Sequence, residues 1–91
     1  MKHNTYFDGK VQSLELRAPQ GRATLGVIEA GKYTFSTSSE EHIVLVEGTM
    51  KVKLPGGQWQ ALEKGRKIVV QSAVSFDIDA PTDAAYICYY F

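Results

Sequence analysis

Apolar and polar side chains alternate with a period of two along much of this chain, the spacing of a half-buried β-strand rather than a helix. In "TMKVKL", Met50, Val52 and Leu54 fall on one face while Lys51 and Lys53 fall on the other. The "PGG" that follows predicts a turn into "QWQAL", so the two runs form a hairpin. In "SFDIDA", Phe76, Ile78 and Ala80 oppose Asp77 and Asp79. Turn formers at Gly9, Pro19 to Gly21, Gly31, Gly48, Pro55 to Gly57, Gly65 and Pro81 separate runs rich in Val, Ile, Thr, Tyr and Phe at intervals of roughly 8–12 residues. That rhythm predicts an all-β sandwich or barrel.

Two runs, His42 to Val46 and Arg66 to Val70, are apolar on both faces and predict central strands, or strands covered by a second sheet or subunit. The closing segment Ala85 to Phe91 is aromatic on both faces and is expected to be tied into a sheet. Ser36 to Glu41 carries helix-capping residue types but leads directly into a β-branched run, so no helix is expected there.

Length and composition narrow this further. Ninety-one residues with 44% hydrophobic content suit one domain spanning residues 1–91, and a domain of this size gains burial by pairing with a second copy. A homodimer is therefore expected. Ten basic and ten acidic residues give no net charge and no long run of either sign, which leaves no nucleic-acid or membrane footprint. The segment "MKHNTYFDGK" lacks the apolar run of a secretory signal, and no stretch approaches the roughly 20 apolar residues of a membrane span. The expectation is a cytoplasmic protein. Cys88 is the single cysteine, so no intrachain disulfide forms, and within "AYICYYF" it reads as a small core residue.

The candidate chemistry lies in "YTFSTSSEEHIVLVEG", Tyr33 to Gly48. Glu41 and Gly48, with "HIVLVE" between them, resemble the end of the first cupin signature, in which a glycine and two histidines precede the glutamate. Phe35 and Thr37 stand where the histidines would be, and Gly31 lies closer than the usual glycine. The second signature has a counterpart in Gly65, with Gln71 at the proline position and Phe76 at the histidine position. Of the four ligand positions only Glu41 keeps a ligand side chain. A stable transition-metal site needs three or four nitrogen, sulfur or oxygen donors, so no metal and no cofactor are expected. His42 does not complete a site, because a strand neighbour of Glu41 projects to the opposite face. His3, His42 and Cys88 are scattered without ligand spacing.

The resemblance extends along the chain. Gly9-Lys10-Val11, "GRATLGVIEAGKYTF", Glu40-Glu41 with Ile43, Val46, Glu47 and Gly48, "VKLPGG" with Trp59, Lys64-Gly65 and the ending "YICYYF" resemble the small cupin family of pyrimidine/purine nucleoside phosphorylases, formerly a domain of unknown function. It covers the chain from about Tyr6 to Phe91. It implies a double-stranded β-helix, a jelly-roll barrel of two antiparallel sheets, that is dimeric and metal-independent. It further implies cleavage of the N-glycosidic bond of purine and pyrimidine nucleosides by inorganic phosphate, giving free base and ribose 1-phosphate. An alternative from another class is a non-catalytic cupin that binds a small sugar, nucleoside or anion, since fold does not dictate function.

That chemistry assigns expected roles. Glu41 is the candidate catalytic carboxylate, accepting ribose hydroxyls or stabilising positive charge on the sugar. Phe35 and Phe76, with Tyr33 on the same face as Phe35, are candidate stacking surfaces for the base, set against an ordinary core role. Arg22, beside Gly21 in a turn, is the candidate phosphate ligand because its planar fork suits phosphate oxygens. Arg66 and Lys67 are rival cations, while Lys51 and Lys53 read as a solvated face. Thr37, Ser39, Ser72 and Ser75 are candidate hydroxyl donors. Tyr89 or Tyr90 offers a donor from the last strand, against a packing role, and no residue stands out as a general acid.

Overall fold

A computed structural model describes all residues from Met1 to Phe91, and ten strands account for most of them. In chain order these are β1 (His3–Tyr6), β2 (Val11–Ala18), β3 (Gly21–Ile28), β4 (Gly31–Ser36), β5 (Glu41–Glu47), β6 (Met50–Lys53), β7 (Trp59–Leu62), β8 (Lys67–Val70), β9 (Ser75–Ala80) and β10 (Ala84–Tyr90). They form a six-stranded sheet ordered β1-β2-β3-β10-β5-β8 and a four-stranded sheet ordered β4-β9-β6-β7. Every pairing is antiparallel. No helix is long and apolar enough to cross a membrane.

The alternation read from the sequence corresponds to burial. Met50 and Val52 are buried while Lys51 is exposed, and β6 pairs with β7 in the predicted hairpin, Met50 opposite Leu62. The turn closes with Gly57 N donating to the Leu54 carbonyl at 2.9 Å. On β9, Phe76, Ile78 and Ala80 are buried and the intervening aspartates are half-buried. These residues meet Ile43, Leu45, Ile68 and Val70 of the larger sheet in a core cluster of 15 side chains between the sheets. Burial at roughly 25 cal/mol per Å² of apolar surface is what closes two sheets onto one another.

β5 is a central strand, held between β10 and β8, and β10 lies at the middle of its sheet between β3 and β5, as the aromatic C-terminal segment suggested. β8 differs from expectation. It forms an edge of the six-stranded sheet, with Ile68 and Val70 buried and Lys67 exposed. A charged residue on an edge strand discourages further pairing, which accounts for a lysine in this run. The sequence also hid a 3₁₀ turn at Phe7–Gly9, where Phe7 and Asp8 take φ of 51° and 55°. Left-handed backbone at a phenylalanine is unfavourable on its own. Here its ring packs edge-on against Tyr33 (5.0 Å between centroids) and Phe35 (5.3 Å), covering that flank of the core.

The outer face of the six-stranded sheet is also apolar. Leu14, Leu25, Ile87 and Val44 lie side by side across β2, β3, β10 and β5, with Leu16, Val27 and Val46 exposed in adjoining rows.

Candidate active site

Strand register builds the site in rows on the inner face of the larger sheet. Tyr90 pairs with Glu41, and the Arg22 guanidinium lies over the Tyr90 ring with Cζ 4.1 Å from its centroid. The next row is Thr24, Cys88 and Ile43, and the next is Gly26, Tyr86 and Leu45. Opposite, on the smaller sheet, Phe35 pairs with Phe76, their rings stacked at 5.9 Å and 27°. Between these walls is a cavity of about 220 Å³. It is smaller than the roughly 300–1,000 Å³ of sites that take drug-sized ligands, and it is open to solvent at its Arg22 end, where that side chain is half-exposed.

Arg22 has its plane and one edge fixed. Nε donates to Glu15 Oε1 at 3.0 Å and Nη2 to Glu15 Oε2 at 3.3 Å, while the Tyr90 ring supports its face. These hydrogen bonds hold the Glu15 carboxyl down at about 2 and raise the guanidinium further, so both are charged at any working pH. Glu41 is half-buried at the same end of the cavity, and Cys88 Sγ donates to its Oε1 at 3.4 Å. Burial raises the Glu41 carboxyl above its ordinary value of 4.5, opposed by the Cys88 contact and the Arg22 charge. Burial also pushes up the Tyr86 and Tyr90 phenols and the Cys88 thiol, so all three remain neutral. The Tyr90 hydroxyl lies 3.2 Å from Thr24 Oγ1, which fixes the ring under Arg22.

Arg22, Glu41, Phe35 and Phe76, separated by up to 54 positions in sequence, line this one cavity. Phe76 is only 4% exposed and mainly core, so Phe35 supplies the more open aromatic surface. Tyr33 shares the inward face but is buried beneath Phe7, and its hydroxyl donates to the Glu29 carbonyl at 2.8 Å. Thr37 is buried outside the cavity lining; its hydroxyl donates to the Gln71 carbonyl at 2.7 Å and accepts from Val74 N at 3.1 Å. Ser39 is also outside the lining, and Ser75 Oγ reaches only Ser36 Oγ, at 3.1 Å. Ser36 and Ser38 line the cavity instead. β4 ends at Ser36, and beyond it the period of two no longer tells which side chain faces inward.

The rival residues lie elsewhere. Arg66 and Lys67 flank the β7–β8 connection, and Lys51 is exposed. His42 is off the cavity, its Nε2 2.7 Å from Glu40 Oε2 and its ring 4.2 Å from that of Phe91. His3 bonds Gln12 at 2.9 Å. No three His, Cys, Asp or Glu side chains converge anywhere. Tyr86 and Cys88 were not assigned to the site from sequence, and Tyr90 only as one of two donors weighed against a packing role, although alternation in "AYICYY" groups the three on one face. Both faces of that strand are apolar, so nothing in the pattern said which one turned inward.

Two antiparallel sheets closed around a small cavity make this a cupin barrel. The same architecture recurs in the putative ethanolamine utilization protein EutQ of Salmonella typhimurium (TM-score 0.74, 18% identity, 90% of this chain and 72% of that one) and in ectoine synthase of P. lautus (0.73, 16%, 87% and 62%). A Vibrio parahaemolyticus structure of unknown function superimposes with a TM-score of 0.94 at 33% identity over 99% of this chain and 97% of its own. The sequence model of the pyrimidine/purine nucleoside phosphorylases matches residues 1–90. Proteins named pyrimidine/purine nucleoside phosphorylase from Marinobacter nauticus and Psychromonas ingrahamii are 43% and 40% identical over 88 residues, covering 96% of this chain and 95% and 94% of their own. The chain belongs to the pyrimidine/purine nucleoside phosphorylase family.

Proposed function

We propose that this protein phosphorolyses purine and pyrimidine nucleosides in the barrel cavity, giving free base and ribose 1-phosphate. The observation that carries the reading is a charged and phenolic row, Arg22, Tyr90 and Glu41, facing the Phe35–Phe76 wall across one cavity. A nucleoside has the same division, with a flat base at one end and a polar sugar at the other. Phe35 offers the base an aromatic face that is indifferent to ring type, which suits broad specificity. Arg22 holds the attacking phosphate. As a phosphate oxygen forms its bond to C1′, the C1′–N bond breaks and its electron pair leaves with the base. The sugar passes through an oxocarbenium-like state, which the Glu41 carboxylate stabilises while accepting from ribose hydroxyls. Tyr90 and Tyr86, neutral phenols on the same wall, offer hydrogen-bond donors to the departing base.

Catalysis on this reading requires no metal, because Glu41 is the one carboxylate lining the cavity and the signature histidine positions hold Phe35, Thr37 and Phe76. The apolar outer face of the larger sheet supports a homodimer formed there. The test is release of base from adenosine, guanosine, inosine, uridine, cytidine and thymidine, with and without phosphate, in the presence of a chelator. Phosphate-dependent release that survives chelation is expected. Thermal stabilisation by a nucleoside with no release from any of the six would establish a binding module instead.

A further inference from the structure

Arg22 carries more of its side chain in the open than its partner does: 49% is exposed, against 19% for Glu15. The fixed member of the pair is therefore the carboxylate. Glu15 sits on β2 opposite Thr24, one inward row from Arg22, and is gripped from its other side by Lys2 and by Asn4 of β1. Lys2 Nζ is 3.5 Å from its Oε2, and Asn4 Nδ2 donates to the same oxygen at 3.4 Å. Tyr90, which supports the guanidinium plane, is in turn positioned by Thr24. One restraint acts within the guanidinium plane and the other perpendicular to it.

The guanidinium has five N–H donors in a rigid fork. Glu15 takes the side edge, formed by Nε and Nη2. Nη1 and the remaining hydrogen of Nη2, which make up the end edge, bond to no protein atom. An end edge of this kind matches two oxygens of a tetrahedral anion.

We infer that Glu15 is a positioning residue: it holds the side edge of Arg22 so that the end edge stands as a fixed, two-pronged anchor for the attacking phosphate. The inference rests on the assignment of phosphate to Arg22 above. It makes a prediction opposite in sign to simple charge counting. Removing a carboxylate makes this end of the barrel more positive and by that effect alone strengthens anion binding. Loss of a fixed geometry weakens it, because a mobile arginine must be ordered when phosphate binds.

The test is steady-state phosphorolysis of one turned-over nucleoside, with phosphate and nucleoside varied independently, for the wild type, Glu15→Ala, Glu15→Gln and Arg22→Ala. Glu15→Ala is expected to raise the phosphate KM about tenfold, equivalent to about 1.4 kcal/mol, with kcat and the nucleoside KM within about twofold of wild type. Glu15→Gln, isosteric and retaining one acceptor oxygen for Nε–H, is expected to fall between the two and serves if the alanine variant folds poorly. A lowered phosphate KM in both variants would overturn the inference and make the carboxylate a competitor of phosphate. An equal change in kcat and both KM values would overturn it by showing a merely structural role. Arg22→Ala separates the two levels. If it raises the phosphate KM while both Glu15 variants leave it unchanged, only the positioning role fails. If Arg22→Ala leaves it unchanged, the phosphate assignment fails as well.

Discussion

Gly26→Ala adds one methyl group beneath the ring of Tyr86, which lines the cavity, and its consequence can be worked from the contacts. Gly26 lies within β3, directly opposite Tyr86 of β10. A Cβ built there would sit 2.5 Å from the Tyr86 hydroxyl oxygen and 2.7 Å from its Cε1, well inside van der Waals contact. The glycine is present because the ring lies across it, not because the backbone needs a left-handed conformation, since its φ is not positive. Alanine forces the ring outward into the space that Arg22, Glu41 and Phe35 line. Overpacking of this kind costs about 1–3 kcal/mol. For a domain of this size that is a loss of roughly 5–20 °C in Tm. Calorimetry or a dye-based melt measures it, and the nucleoside KM is expected to rise in the same variant because the ring intrudes on the binding space. Tyr86→Leu removes the obstructing atoms, so adding Gly26→Ala to it is expected to cost less than about 0.5 kcal/mol further. A Tm for Gly26→Ala within about 1 °C of wild type, or equal losses with and without the tyrosine, would refute the close-approach argument.

Glu41→Gln is expected to raise stability at neutral pH while reducing turnover. The folded carboxyl lies above 4.5, so ionisation disfavours the fold as pH rises from 4.5 through the folded value, and the stability advantage of glutamine disappears below 4.5. Melts from pH 4 to 8 test the sign, and wild-type kcat/KM, which reports the free enzyme, should show an acidic limb above 4.5 that the variant lacks. The homodimer proposed above predicts that Leu25→Lys, which places a charge amid the apolar outer face beside Leu14 and Ile87, shifts sedimentation from dimer to monomer with the barrel intact. An unchanged sedimentation coefficient would refute a homodimer formed on this face. Cys88 is 3% exposed with its thiol pushed up by burial, so iodoacetamide at pH 8 is expected to label it at least about tenfold more slowly than in denaturant. Rapid labelling of the native protein would contradict the tight inner row around Glu41.

Local alternation read β6 and β9 correctly because each has one charged face and one apolar face, so period and burial coincide, and the "PGG" turn rather than alternation gave the β6–β7 hairpin. The same reasoning offered β8 as a central or an interface strand, and the central placement fails, since Ile68, Val69 and Val70 look alike whether a strand is central or at an edge, and only strand order decides. Glu41, Arg22, Phe35 and Phe76, picked from the degraded cupin signature and from side-chain chemistry, line one cavity, so this much of the candidate site was legible. Thr37 and Ser39 lie past the end of β4, where counting by twos no longer applies, and Thr37 spends its hydroxyl on two backbone partners. The Glu15–Arg22 pair was not legible at all. It depends on the tight β2–β3 register, which sets Arg22 opposite Arg17 and Glu15 opposite Thr24.

The most direct test of the barrel cavity as the active site is a crystal structure of the protein soaked with ribose 1-phosphate and a purine base. The phosphate is predicted on the free end edge of Arg22, the ribose hydroxyls within hydrogen-bond distance of Glu41, and the base against Phe35. Density for these molecules outside the cavity, for instance along the β2–β3 hairpin tip, with Glu41 and Phe35 untouched, would contradict the account.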